Sequence, residues 1–245
     1  MNAVDSALCE AFAPSGVLRV SINFGNPVLA TRGTNGEPQG ISVDLATELA
    51  RRMDLPLRFV TFDAAGKSVA AVAAGDADFG FFAFDPVRGK EIAFTRPYLL
   101  IEGSYLVRSE SHIQTNDDVD RSGVRLAVGT GSAYDLFLTR ELKHAEIVRG
   151  STSPEVVNTF LRDGLDVAAG VTQQLLADAK RLGGLRLLRG NFMVIRQAMG
   201  VAKSRGDEVA TWLDCFVSEM VRTGVLRRAV ARHQIGAMSA PEVKP

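Results

Sequence analysis

Hydrophobic positions along this chain follow two periods, and the periods take turns. Residues 17–22, VLRVSI, alternate and are rich in β-branched side chains, which predicts a strand. Ile41, Leu45, Leu49 and Met53 then recur at helical spacing on one face. Residues 57–62 return to the strand pattern, and residues 69–74 read as a short helix that Gly75 closes. Thr34-Asn35-Gly36-Glu37 has the composition of a hairpin turn. Residues 78–82 predict a short buried strand, followed by a helix with Asp85 as its N-cap and Pro86 as its first residue. Strand and helix in alternation imply a parallel sheet with crossovers.

The second half repeats the organisation without repeating the sequence. Residues 99–108, LLIEGSYLVR, form a long extended run. A strand at 124–128 leads into Gly129-Thr130-Gly131-Ser132-Ala133-Tyr134-Asp135, where Ser132 and Asp135 have capping-box spacing and predict a helix burying Leu136 and Leu142. Ser153-Pro154-Glu155 opens another helix through Val156, Val157, Phe160 and Leu161. A small-residue strand at 167–170, a helix at 173–182 and a strand-like run at 185–188 follow. Residues 192–201, FMVIRQAMGV, are a second long extended run. Residues 207–233 are helical, with Trp212, Phe216 and Met220 as a core stripe and Gly224 as a break, and 236–245 read as a disordered tail. The expected architecture is α/β in two lobes, each a mainly parallel sheet flanked by helices. Residues 1–103 with 196–245 form one lobe and 104–195 the other. Two extended crossings join them around a ligand cleft.

Composition narrows the function without naming it. Apolar residues make up 46% and charged residues 23%, the values of an ordinary globular protein, and the formal net charge is zero. With no basic run, nucleic acid and anionic membrane are not the expected partners. No stretch approaches the roughly 18 apolar residues of a membrane span. Residues 1–16 lack a basic start and are interrupted by Asp5 and Glu10, so they do not read as a secretory leader. A periplasmic location then requires a leader outside this sequence, and the cytoplasm is the other reading. Pairing of Cys9 with Cys215 stays open, although Cys215 reads as a small buried residue beside Trp212 and Phe216.

The chemistry concentrates at two strand ends. Arg88 falls in the first turn of the helix predicted after Asp85, next to backbone N–H groups with no intrahelical acceptor. There a guanidinium and open N–H groups would hold a carboxylate bidentately. The plainer alternative pairs Arg88 with Asp85 or Glu91 on a solvated face. The Gly131-Ser132 turn is a second helix start suited to an anion, without the Lys-Ser/Thr of a phosphate loop. His112, His144 and His233 are scattered, so no metal or other cofactor is expected, and Ser132 lacks the setting of a hydrolase nucleophile. No catalytic residue is assigned.

Four segments, VLRVSIN, GEPQGISVDLATELARRM, DPVRGKEIAFTRPY and GTGSAYD, together resemble the bacterial solute-binding proteins of polar amino-acid uptake, with a type II periplasmic-binding-protein fold. The likeness runs over residues 17–233. It implies a monomeric, non-enzymatic binding component that captures a small carboxylate, amino acid or related organic acid, for an ABC permease. It also implies that Arg88 holds the ligand's α-carboxylate and that Gly131, Ser132, Ala133 and Tyr134 close on it. The strand-end loops add Asn23, Phe24, Asn26, Phe82, Ala83, Phe84 and Asp85 to the candidate ligand-binding set, and Val171 and Thr172 complete it.

The chain departs from that family's pattern in three ways. The loop before Arg88 is slightly longer and reads FFAFDP instead of being Ser/Thr-rich. The acids that hold an α-ammonium are replaced by Asn23 and by Val171 or Thr172, which leaves Asp85 as the substitute. The aromatic platform falls to Phe24, Phe82 or Tyr134. Two other readings share the scaffold. One is a dehydratase of the cyclohexadienyl or arogenate type using Asp85 or Glu102, and the other is a cytoplasmic ligand-sensing module.

Overall fold

The computed structural model describes residues 5–233, so the tail expected at 236–245 lies outside the described residues. The chain divides into two compact units. Residues up to Leu100 with those from Arg196 onward form the first, and Ile101–Ile195 form the second.

The first unit begins with a helix that the sequence pattern did not reveal, α1 (Ser6–Phe12), whose N-cap Asp5 accepts from the Ala7 N–H. Next come β1 (Leu18–Asn23), the hairpin β2 (Thr31–Arg32) and β3 (Pro38–Gln39), α2 (Ile41–Met53), β4 (Leu57–Phe62), α3 (Ala65–Ala73), β5 (Phe79–Ala83) and β6 (Ile92–Phe94). Gly40 starts α2 at φ 130°, and a Cβ there would stand 2.4 Å from the Leu29 carbonyl oxygen, so only glycine fits. β1 lies parallel to β4 on one side and to β5 on the other.

Alternation along β5 sorts its aromatics. Phe79 and Phe81 face one layer, where Phe79 meets Phe12 edge-on at 5.9 Å. Phe82 faces the other layer, among Val69, Val72, Ala77 and Ile92. At the opposite end of the sheet the fully buried Asp78 carboxylate accepts from the Arg19 N–H at 2.8 Å, Arg19 Nη2 at 2.7 Å and Arg205 Nη2 at 2.8 Å. Its lone pairs are therefore satisfied despite burial.

β7 (Leu99–Arg108) carries the chain into the second unit, which contains β8 (Arg125–Gly129), α4 (Ala133–Glu141), β9 (Glu146–Gly150), α5 (Val156–Arg162), β10 (Val167–Val171), α6 (Thr172–Leu182) and β11 (Leu185–Leu187). β8 runs parallel to β9 and β10, while β7 is antiparallel to β10 and β11. Its core gathers Leu106, Leu126, Val128, Leu138, Phe160, Leu165 and Val167. The buried face of α4 is Tyr134, Asp135 and Leu138; of the two residues expected there, Leu142 packs half-buried against this core from the helix's C-cap, and Leu136 does not. The correction follows from where the cap places residue one of the helix, since a shift of two residues turns the helix by more than half a revolution.

β12 (Met193–Ala202) returns to the first unit, pairs antiparallel with β5 and β6, and is followed by α7 (Asp207–Arg222) and α8 (Val225–Arg232). Phe216 and Met220 are buried on α7 as the stripe predicted. Cys215 is not: it points outward and is exposed, and both cysteines are free thiols. Each unit is thus α/β about a mixed sheet, with as many antiparallel as parallel pairings where mainly parallel ones were expected, and none of the described helices is long and apolar enough to cross a membrane.

Candidate functional site

In the first unit the candidate residues sit where β1 and β5 end. Val20 pairs with Phe79 and Ser21 with Gly80, so continuing that parallel register brings Asn23 beside Phe82 and Phe24 beside Ala83. On the other side of β5, Gln197 of β12 pairs with Ala83. Open α/β sheets bind ligands at this carboxyl edge of their strands.

The helix expected after Asp85 is not formed. Arg88–Lys90 makes a single 3-10 turn, because the chain must reach β6 at Ile92 and pair with β12. Asp85 keeps a local capping role, its Oδ1 accepting from the Val87 N–H at 2.8 Å. Arg88 is only 7% exposed, and its Nη1 donates to the Ala83 carbonyl at 3.2 Å. Burial pushes the guanidinium down to about 10, against the attraction of Asp85, which raises it. An arginine in this setting gains when an anion arrives.

The other candidates separate into those at the edge and those in the core. Asn23 Oδ1 accepts from the Gly25 N–H at 2.8 Å and Asn26 Oδ1 from the Val28 N–H at 3.2 Å, so both amides shape the loop after β1. Phe24 is half-buried there, with the Arg32 guanidinium 4.2 Å above its ring centroid. Phe84 is 54% exposed and leans on Phe94 at 5.2 Å. Phe82 leaves the candidate set: its ring is 3% exposed and fills the core under α3, with Gly80 and Gly200 making room for it. The two-residue period of a strand decides this, because Phe82 has opposite parity to Ala83, on whose carbonyl Arg88 rests.

In the second unit the turn before α4 is built as expected but is less open. Gly131 takes φ 68°, and Ser132 Oγ caps the helix by accepting from the Asp135 N–H at 3.0 Å. Asp135 Oδ2 accepts from the Gly131 N–H at 2.8 Å, and its Oδ1 accepts from Arg149 Nε at 3.0 Å. Three N–H groups of this turn, those of Gly131, Ser132 (to the Gly129 carbonyl at 3.0 Å) and Asp135, are therefore engaged locally. Those of Ala133 and Tyr134 have no hydrogen-bond partner among the described residues. The Tyr134 ring is no platform: it is 3% exposed in the core, and burial pushes its hydroxyl up to about 12 despite hydrogen bonds from Ser153 and Ser132.

At the start of α6, Val171 is buried and the Thr172 hydroxyl donates to the Glu102 carbonyl at 3.0 Å while meeting Ser104 Oγ at 2.7 Å. The Glu102 side chain is exposed on β7. No group of three or more His, Cys, Asp or Glu suited to a metal occurs among the described residues.

The profile of bacterial extracellular solute-binding proteins, family 3, matches residues 18–235, nearly the whole chain. The chain belongs to this family. Among relatives of this solute-binding protein, the L-cystine-binding protein of Escherichia coli K12 is 24% identical over 95% of this chain and 88% of its own. The solute receptor for L-cysteine of Neisseria gonorrhoeae shares the fold, with a TM-score of 0.79 and 22% identity over 92% of each chain. So does the ancestral amino acid-binding protein AncCDT-1, a precursor of cyclohexadienyl dehydratase, at a TM-score of 0.77 and 20% identity, covering 93% of this chain and 99% of its own. The type II periplasmic-binding-protein fold is thereby established for this solute-binding protein. Sequence reasoning missed Arg32 and Gln197 at the first unit's edge, and only the strand register shows that they belong there.

Proposed function

We propose that this protein is the capture component of an ABC transporter and binds a small carboxylate solute, an amino acid or a related organic acid, through Arg88. The observation that carries the reading is Arg88 itself: a buried guanidinium at the carboxyl edge of the first unit's sheet, with burial working against its charge. The amino-acid ligands named for the cystine-binding and cysteine-binding relatives support an amino-acid-like solute. In the second unit, Gly131, Ser132 and Ala133 offer a helix start whose remaining N–H groups suit a carboxylate or carbonyl oxygen. Family membership fits a secreted protein that works outside the cytoplasmic membrane.

The test is a thermal-shift screen of L-amino acids, L-cystine and the matching 2-keto and 2-hydroxy acids on wild type and Arg88→Ala. A compound at a hundred times its dissociation constant adds about 2.7 kcal/mol to folding. The reading expects at least one carboxylate to shift wild type and to leave Arg88→Ala unshifted. Equal shifts in both proteins would remove Arg88 from the site. Reconstituted uptake with the permease encoded beside it, in membrane vesicles, tests the transport role.

A further inference from the structure

The Arg32 side chain makes no ion pair or side-chain hydrogen bond among the described residues, and its partner is the ring of Phe24. It is exposed on the β2–β3 hairpin, where Arg32 pairs with Pro38, and its guanidinium carbon lies 4.2 Å from the centroid of the Phe24 ring. A cation–π contact of this kind restrains the side chain and covers one face of the ring, while the N–H donors keep no side-chain acceptor among the described residues. The ring that was a candidate platform therefore presents a cation instead.

Its position is set by the sheet. Phe24 continues the β1 ladder, its N–H donating to the Phe62 carbonyl at 2.8 Å, and the β1–β5 register places it level with Ala83. Ala83 is the residue whose carbonyl holds Arg88, one strand away at a spacing of about 5 Å. Around this edge Asp63 pairs with Lys67 at 2.9 Å, Asn23 and Asn26 are neutral, Asp85 attracts Arg88, and Glu37 lies on the exposed hairpin itself.

We infer that Arg32, ordered by Phe24, is a specificity-determining residue that receives a second anionic group of the bound solute, so that the preferred ligand is a diacid. The inference rests on Arg88 holding the first carboxylate and names the solute class for that same site. In a fork geometry, the guanidinium meets the distal carboxylate edge-on, while the solute's apolar spacer passes the uncovered rim of the Phe24 ring.

Calorimetry with matched acid and amide probes tests it: L-glutamate against L-glutamine, and 2-oxoglutarate against its ω-amide. Wild type is expected to favour the diacid in at least one pair. Arg32→Gln, a surface change that leaves the fold alone, is expected to lower that preference by roughly five- to tenfold. Raising salt erodes the diacid's advantage more than the amide's affinity. Phe24→Leu lowers the preference in the same direction, because it releases the guanidinium. If wild type binds the amides as tightly as the acids, or binds none of these acids, the inference is wrong. It is also wrong if Arg32→Gln weakens acid and amide equally. Arg88→Gln separates the two claims. Loss of all binding with Arg32→Gln silent overturns only this inference, whereas full binding by Arg88→Gln overturns the carboxylate reading beneath it.

Discussion

Replacing Arg88 with methionine should make the ligand-free protein more stable and the ligand-binding protein inert. Methionine keeps most of the side chain's length and apolar contact but removes the charge. Burial pushes Arg88 down to about 10, which at about 1.4 kcal/mol per pH unit is roughly 3 kcal/mol of unfavourable placement. The sign follows from the direction. A base whose folded value is depressed costs stability throughout the range where it is protonated, and the cost is relieved only above about pH 10.

Across ordinary pH the substitution therefore recovers part of that cost, about 1–3 kcal/mol once the lost hydrogen bond to the Ala83 carbonyl is set against it. At this chain length each kcal/mol moves the melting temperature by about 2–4 °C. Paired melts without ligand and with a saturating carboxylate are the assay. Arg88→Met should melt above wild type without ligand and below it with ligand. A ligand-free melting point well below wild type would mean that Arg88 is a structural ion-pair partner, and the reasoning fails.

Other outcomes follow from the same geometry. Asp78→Ala strands Arg19 and Arg205 and should cost about 3–5 kcal/mol in urea melts while leaving the affinity of the folded protein unchanged. Glu48 is held at about 2 by Arg51 and Arg52, so its stabilisation is complete above the usual glutamate range and is lost as pH falls toward 2. Glu48→Gln should flatten the acid limb of the stability curve between about pH 4.5 and 2, by roughly 1–2 kcal/mol after solvent screening. Asp135→Asn loses the charge-assisted bonds to the Gly131 N–H and Arg149, and should cost about 1–3 kcal/mol by thermal melt. Under native conditions a thiol reagent should label Cys215 rapidly and Cys9 slowly, as read by mass spectrometry, because Cys9 is half-buried and burial raises its thiol.

Periodicity carried most of the fold. The four-residue spacing through Ile41, Leu45, Leu49 and Met53 describes α2, and residues 57–62 and 99–108 coincide with β4 and β7. Helix α1 escaped because only Leu8 and Phe12 mark its buried side, too few positions to show a period. The helix at Arg88 was overcalled for a related reason. Asp85 and Pro86 are sound start signals, but β6 claims residues 92–94, and no local rule reveals that the chain is needed by a sheet so soon.

The placement of candidates was legible where a residue's chemistry and its strand end coincide, since Arg88 follows β5 and Ser132 caps α4. It was misread where parity decides. Phe82 and Tyr134 are plausible platforms by residue type, and a single step along a strand or a third of a helical turn sends each ring into the core. Arg32 was invisible for the opposite reason, since its place depends on a hairpin folding a distant residue over Phe24.

The central claim is that Arg88 holds a carboxylate, and isothermal titration calorimetry of wild type and Arg88→Ala with the compound that the screen returns tests it most directly. The account predicts a loss of about 2–5 kcal/mol in binding free energy, a factor of at least roughly thirty in affinity. An Arg88→Ala protein that folds normally and binds within threefold of wild type would contradict it.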